Sequence, residues 1–297
     1  LNSNNAVEEC NQYLDICKEF ENENSVNLFA IELQDNFQVY GISNDYIETD
    51  IFEVIETDLI SLKTFNNPLL IINEENNLIE IELNSNNQKV LFSEGSNLEN
   101  YTIEISSKLN ELPEFRTDNN LLTGCVTFNK VFVTNLIITM NNSYCEDSIN
   151  FIGSTGSISL INISNSAQDA LDIDFSNLII KELIISNSGN DCIDISSGDV
   201  TVLNLKTLNC SDKAVSVGEK SEVLIKNGEI ANSQIGLATK DSSILKIENV
   251  HINDTEICYS IYRKKQEFGP AKISVKNLLC EFNDYFVQKG SIIESRK

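Results

Sequence analysis

Aspartates recur along the chain at a spacing of 22 residues. Asp147, Asp169 and Asp191 share one offset of this period, and Asp172 and Asp194 share a second. If each period forms one turn of a repeating structure, carboxylates at equivalent positions lie about 4.8 Å apart, the separation of neighbouring strands. Carboxylates at that distance repel one another, so they require cations, protons or basic neighbours.

Three uses of these carboxylates are open. Hard cations take several carboxylate oxygens, so Asp147, Asp169 and Asp191 are candidate ligands for calcium, the one cofactor that the sequence suggests. Crowding raises the pKa of one acid of a pair, so Asp169, Asp172, Asp191 and Asp194 are candidate catalytic acids and bases. In the third use, each aspartate caps the turn before its strand by accepting hydrogen bonds from backbone N–H groups.

A second candidate site combines basic and aromatic residues. The patch suits an anionic sugar and comprises Lys240, Tyr262, Arg263 and Lys264. Arg263 also falls in a column with Glu219 and Asp241, and the alternative is a solvated row of surface charges that contributes little to stability. The chain has no Trp, so sugar stacking would use Tyr259, Tyr262 or Phe268.

His251 is the only histidine of the chain. It lies in the middle of a predicted strand, away from the aspartate columns, and we expect it to have a structural role. On this basis the sequence disfavours catalysis by a Ser–His–Asp or a Cys–His arrangement.

The elements that position these residues follow from five consecutive units of 22 residues, which span residues 148–257. Such a period is typical of a solenoid, and the units contain strand patterns without a helix pattern. Residues two apart on a strand share a face, so two columns are expected to point inward. They are Ile149, Leu171, Ile193, Val215 and Leu237, and Phe151, Ile173, Ile195, Val217 and Thr239. The residues between them suit an outer face: Asn150, Asp172, Asp194, Ser216 and Ala238.

The chain therefore predicts an all-β fold, a parallel β-helix solenoid with coils of about 22 residues. We assign residues 108–297 to this solenoid, with an insertion around Gln266–Pro270. Residues 1–107 lack the period and are expected to form either a small α+β domain or irregular first coils that cap the solenoid. A helix is predicted at Tyr46–Leu62. Because the sequence starts at Leu1, we also expect a mature or trimmed product.

The eight cysteines point to disulfide bonds. Residues one coil apart return to neighbouring positions, within disulfide reach. This predicts three bonds: Cys125–Cys145, Cys192–Cys210 and Cys258–Cys280. The even count supports a fourth bond, Cys10–Cys17, which the helical pattern of the surrounding segment opposes. Disulfides favour an extracellular, cell-surface or periplasmic location; the alternative is that the cysteines are small buried apolar residues, and zinc is disfavoured because no CxxC pair occurs.

The net charge is −24, from 45 acidic against 21 basic residues. Such a charge disfavours nucleic acid and anionic membrane surfaces as partners, and it is compatible with cation binding. No apolar run is long enough to span a bilayer, so no transmembrane segment is expected. The partners that stay open are a polysaccharide and further copies of the chain.

Four strings in successive coils resemble the motifs of the polygalacturonases, within the pectin-lyase-like right-handed β-helix superfamily: AQDALDID, GNDCIDISSG, CSDKAVSV and IGLATK. In that family aspartates act as acid and base, and the match falls on Asp169 and Asp191. Here Asn190 stands where another Asp is expected, Asp212–Lys213 replaces a His, and no Arg precedes Lys240.

The strings DKAVSVGEKS, IGLATKDSS and YRKKQEFG are similar to bacterial surface-associated β-helix domains. That second resemblance implies an extracytoplasmic setting and supplies no established activity.

The leading hypothesis for function is a non-enzymatic extracytoplasmic scaffold, either a structural component of a surface, matrix or appendage or a glycan-binding module. The first alternative is a polysaccharide lyase or glycoside hydrolase that acts through the aspartate columns. The second alternative is a subunit of a self-assembling filament.

Overall fold

The computed structural model describes residues 30–32, 38–40, 52–85, 87–108, 121–281 and 284–295. The chain divides into two compact units, Leu1–Asp50 and Ile51–Lys297. In the first unit, the strands β1 (Ala30–Glu32) and β2 (Gln38–Tyr40) form an antiparallel pair.

The second unit is built from strands, with one 3-10 turn at Glu74–Asn76 in the described residues. The strands are, in order, β3 (Phe52–Glu56), β4 (Ser61–Phe65), β5 (Leu69–Asn73), β6 (Leu78–Leu83), β7 (Lys89–Phe92), β8 (Asn97–Glu99), β9 (Thr102–Ser107), β10 (Gly124–Asn129), β11 (Phe132–Ser143), β12 (Asp147–Ile152), β13 (Thr155–Ser166), β14 (Asp169–Asp174), β15 (Asn177–Ser188), β16 (Ile193–Ser196), β17 (Asp199–Gly218), β18 (Glu222–Lys240), β19 (Ile244–Tyr262), β20 (Lys272–Cys280), β21 (Tyr285–Val287) and β22 (Ile292–Ser295).

The strands pair in parallel from coil to coil, in two stacks. Face A consists of β7, β10, β12, β14, β16, the last parts of β17, β18 and β19, and β21. Face B consists of β8 and β9, β11, β13, β15, the first parts of β17, β18 and β19, and β20 and β22. The predicted all-β solenoid with coils of about 22 residues is confirmed.

The core lies between the two faces, where the predicted inward columns are buried. Ile149 and Phe151 are fully buried, as are their equivalents in the next coils. Phe92, Phe128 and Phe151 stack along the axis, with ring centroids 4.8 Å and 4.5 Å apart. Offset aromatic stacking of this kind adds to the free energy gained from burying the rings.

The column between the inward residues faces outward but is more deeply buried than its polarity suggests. Asn150, Ser216 and Ala238 are at most 2 % exposed. The outer-face prediction is therefore wrong about their exposure. Beside this column, the aliphatic chain of Lys240 lies on Gly218, with Cε 3.3 Å from the position of an added Cβ. A lysine stem covers small neighbours in this way while its ammonium group finds a partner.

One corner of each coil is built by an asparagine in the left-handed region. Asn165, Asn187, Asn209 and Asn232 have φ between 55° and 61°, a conformation that asparagine tolerates well. Their side chains form an amide ladder, in which Asn187 Nδ2 donates to Asn165 Oδ1 at 2.9 Å and Asn209 Nδ2 donates to Asn187 Oδ1 at 2.7 Å. At this corner of the following coil the left-handed residue is Asp254. Steps of 22 residues from Asn165, Asn187 and Asn209 lead to Asn253 instead.

At another corner of the coils, a ladder of buried serines accepts hydrogen bonds from backbone N–H groups. Ser176 Oγ accepts the N–H of Ser154 at 2.9 Å, and Ser243 Oγ accepts the N–H of Ser221 at 3.1 Å. These hydroxyls replace the backbone partners that the turn removes, as buried N–H groups require. Both ladders depend on the coil period, because each bond joins equivalent positions of adjacent coils.

The three predicted disulfide bonds are confirmed. The Cα–Cα distances are 5.4 Å for Cys125–Cys145, 5.4 Å for Cys192–Cys210 and 6.1 Å for Cys258–Cys280. Each bond closes a loop of about one coil. Cys10 and Cys17 lie outside the described residues.

Antiparallel strands close the N-terminal end of the stack. β3 pairs with β4, β4 pairs with β7, and β5 pairs with β6. The helix predicted at Tyr46–Leu62 is therefore wrong from Phe52 onward, because pairing with β4 favours the extended backbone. The parallel stack reaches back to Lys89 through β7 and to Leu78 through β6, on the N-terminal side of residue 107.

We expect Asn187→Ala to destabilise the solenoid more than Asn187→Gly. Both substitutions remove two amide hydrogen bonds of the ladder, each contributing about 1 kcal/mol. Only alanine also strains the left-handed backbone, at about 1 kcal/mol. Chemical denaturation measures both differences. Equal destabilisation by the two substitutions would show that the left-handed backbone does not matter here.

Candidate functional site

The predicted carboxylates meet on the outer surface of β12, β14 and β16, which we call the aspartate face. Asp147 is in register with Asp169, and Asn150, Asp172 and Asp194 lie in register one coil after another. The structure therefore brings together Asp147, Asp169, Asp172, Asp191 and Asp194. It adds Asp174, which the sequence analysis missed although it follows Asp172 by two residues and so shares its face.

Asp169 and Asp191 act as caps between coils. Asp169 Oδ1 accepts hydrogen bonds from the N–H of Asp191 at 2.8 Å and from Asn190 Nδ2 at 2.7 Å. Asp191 Oδ1 accepts the N–H of Lys213 at 3.0 Å. These bonds differ from the capping use expected from the sequence, because each aspartate accepts N–H groups of the following coil and not of the turn before its own strand. Asn190 thereby contacts the carboxylate of the preceding coil.

Lys213 supplies positive charge from the following coil. Its Nζ lies 3.2 Å from Asp191 Oδ1 and also contacts Asp212 Oδ2. Burial lowers the pKa of Lys213, but the charges of Asp191 and Asp212 outweigh burial and hold that pKa above its usual value. The lysine therefore stays charged and neutralises Asp191.

Four carboxyl groups of the aspartate face are harder to ionise than usual. Burial and the charge of Asp191 raise the pKa of Asp169 to about 7. Burial, followed by the charge of Asp147, raises the pKa of Asp172 well above its usual value. Burial, followed by the charge of Asp194, raises the pKa of Asp174. Burial raises the pKa of Asp191, and Lys213 partly offsets this.

The four residues of the predicted sugar patch lie on two neighbouring coils, where Lys240 is in register with Tyr262 and the other two follow Tyr262 along the chain. Lys240 is buried, and its Nζ lies 3.7 Å from Asp194 Oδ1. Tyr262 is half-buried against Phe286, with ring centroids 6.4 Å apart. Arg263 and Lys264 are exposed. Binding of an anionic sugar by these residues stays a prediction, and the pairing of Lys240 with Asp194 reduces the positive charge available for it.

Asp241 anchors the inserted loop. Its Oδ1 accepts the N–H groups of Lys264 at 2.7 Å and Lys265 at 2.8 Å, and the residue is fully buried. The alternative of a solvated charge row is therefore wrong for Asp241, because the insertion folds its backbone over it. Glu219 pairs with Lys265 at 2.7 Å. Burial raises the pKa of Glu219, but the bonds from Lys265 and Ser196 outweigh it and lower that pKa overall.

His251 lies on face B, where it is exposed and in register with Glu229. It is therefore not part of the aspartate face. Among the residues that the structure describes, no three His, Cys, Asp or Glu side chains are placed to hold one metal ion. Calcium binding by Asp147, Asp169 and Asp191 stays a prediction, and it would require these side chains to turn towards a common centre.

No protein-family model matches the chain, and no curated protein is significantly similar to it. The likeness to the pectin-lyase-like superfamily therefore rests on the coil motifs and stays a prediction, whereas the solenoid itself is observed. No helix in the described ranges is long and apolar enough to cross a membrane.

The pKa of Asp169 predicts a pH dependence of stability. An unfolded aspartate has a pKa of about 3.9, whereas that of Asp169 in the folded chain is about 7. The folded state thus holds a proton that the unfolded state releases, so this stabilisation is complete below about pH 4 and is lost as the pH rises to about 7.

Asp169→Asn keeps the Oδ1 acceptor and removes the titration. We expect the free energy of unfolding of the wild type to fall relative to the variant between about pH 4 and pH 7, by on the order of 3 kcal/mol. Urea denaturation at several pH values measures this difference. Asp199→Asn, an exposed change on face B, is the matched control. Parallel pH profiles of the wild type and Asp169→Asn would contradict the assignment.

Proposed function

We propose that the protein is an extracellular structural scaffold formed by a disulfide-linked β-solenoid. The observation that carries this proposal is the parallel ladder that runs without interruption from β7 to β22 and is cross-linked by three disulfide bonds. Disulfides of this kind persist in oxidising compartments. The strands of each coil pair with those of the adjacent coils, so the length of the solenoid follows from the number of coils.

The outer surfaces support the scaffold role. The side chains of the Asn and Ser ladders form hydrogen bonds with one another and with the backbone at the corners of the coils. The high negative charge keeps an extended surface soluble. Lys213 and Lys240 are both engaged with carboxylates of the solenoid. A polysaccharide and self-association into filaments stay open as the partners of such a scaffold.

We expect the native protein to be accessible to protease on intact cells and to carry no free thiol at the six paired cysteines. Thiol trapping under denaturing conditions, before and after reduction, measures the second property. Recovery of reduced cysteines from a protease-protected fraction would overturn an extracellular role.

One observation favours a second candidate function, a polysaccharide lyase or glycoside hydrolase. Burial and the charge of Asp191 raise the pKa of Asp169 to about 7, while the charge of Lys213 lowers that of Asp191 against its burial, so the two acids have different environments. Separated protonation of neighbouring carboxyl groups is a feature of acid–base catalysis.

A screen of acidic and neutral polysaccharides separates the two functions. The scaffold proposal predicts no release of reducing ends or of unsaturated products by the wild type. Turnover that falls at least a hundredfold in Asp169→Asn/Asp191→Asn would instead establish the enzyme. Asp199→Asn/Glu222→Gln is the matched control, because it removes the same charge from face B. Turnover that survives in Asp169→Asn/Asp191→Asn would indicate a contaminating enzyme.

A further inference from the structure

Three carboxyl groups of the aspartate face have no basic partner within the described residues. Asp191 pairs with Lys213, and Asp194 pairs with Lys240. No lysine, arginine or histidine of the described ranges forms an ion pair with Asp169, Asp172 or Asp174. Asp169 is buried and the other two are half-buried, and ionising a carboxyl group that is partly removed from solvent without a nearby cation is costly.

One buried amide on this surface is only partly satisfied. Asn150 is 2 % exposed, and its Nδ2 donates to Asp172 Oδ2 at 3.1 Å and to Thr123 Oγ1 at 3.2 Å and lies 3.4 Å from Asp147 Oδ2. With the amide group turned this way, the buried Asn150 Oδ1 has no partner. An unpaired buried acceptor costs about 1–3 kcal/mol, so Asn150 turns its N–H₂ group towards the carboxylates at that expense.

A second polar atom on this surface has no partner. Ser216 lies in register with Asp194 in the outward column, is fully buried, and its Oγ has no hydrogen-bond partner. A serine hydroxyl both donates and accepts, so Asn150 Oδ1 and Ser216 Oγ are two buried groups on this surface that the chain leaves unsatisfied.

We propose that the aspartate face is a binding site for protonated primary amines carried on a linear chain, such as a polyamine or an oligomer of amino sugars. An ammonium group combines a positive charge with three N–H donors. A carboxyl group without a basic partner is stabilised in its ionised form by both. A donor placed on Asp172 would release the Asn150 amide group to turn and pair its Oδ1.

The arrangement favours an elongated cation over a single metal ion. The described carboxylates do not converge on one point. Asn150, Asp172 and Asp194 instead follow one another along the solenoid axis, at about the 4.8 Å strand separation. A chain with several amines can therefore lie along the axis and meet more than one carboxylate. This inference goes beyond the scaffold role and does not depend on it.

The test is calorimetric titration of the intact protein with four ligands: a glucosamine hexamer, spermine, the N-acetylated hexamer and CaCl₂. We expect the first two to bind and the acetylated hexamer, which has no charge, not to bind. Tighter binding of the sugar than of spermine identifies an amino-sugar chain, and the reverse order identifies a polyamine. No binding of either amine, equal binding of the acetylated hexamer, or displacement of bound amine by micromolar Ca²⁺ would overturn the proposal.

Variants localise the site. We expect Asp172→Asn/Asp174→Asn to weaken amine binding at least tenfold. The matched control is Glu182→Gln/Glu229→Gln, which removes the same charge from exposed positions on face B and should change the affinity less than twofold. Equal weakening by both pairs would show nonspecific attraction to an acidic protein and would refute the site.

Folding of the variants is checked by thermal unfolding. Because both aspartates resist ionisation, their amides should leave the melting temperature unchanged or raise it. Asp174→Asn alone, at a half-exposed position, is the second variant and should weaken binding at least threefold. Unchanged affinity in a folded Asp174→Asn variant would also count against the site.

Discussion

The structure depends on one constraint, which is that equivalent residues of successive coils lie next to each other at strand spacing. Parallel pairing in register imposes this on every column, so each side chain has copies of itself as neighbours. The constraint favours apolar residues, which stack into the core, as Phe92, Phe128 and Phe151 do. It also favours asparagine, because an amide both donates and accepts and can bond to its own kind.

The same constraint works against aspartate, which at neutral pH accepts hydrogen bonds and cannot donate them. The repulsion between carboxylates is reduced in different ways along the aspartate face. Asp169 accepts a backbone N–H from the next coil, whereas Asp191 and Asp194 receive lysines from later coils. Burial and neighbouring charges raise the pKa of Asp172 and of Asp174, so both resist ionisation.

Much of the fold could be predicted from the sequence. The inward columns and the disulfide bonds follow from the period alone, since a coil of fixed length returns equivalent residues to the same place. The period also placed the aspartates together. The prediction of equivalent positions from the period failed where the spacing changes by one residue. The step from Asn209 to Asn232 is 23 residues, and it shifts the left-handed corner to Asp254.

The sequence by itself determined the coil, its core and its disulfide bonds, because these depend on spacing along the chain. The tertiary structure decided which polar residues are buried and what they contact. Lys240 reaches Asp194 across an intervening coil, and Asp241 is covered by the backbone of the inserted loop. The strand at Phe52–Glu56 forms because a partner strand is present. Such outcomes depend on neighbours that are distant in sequence, and a local pattern carries no record of them.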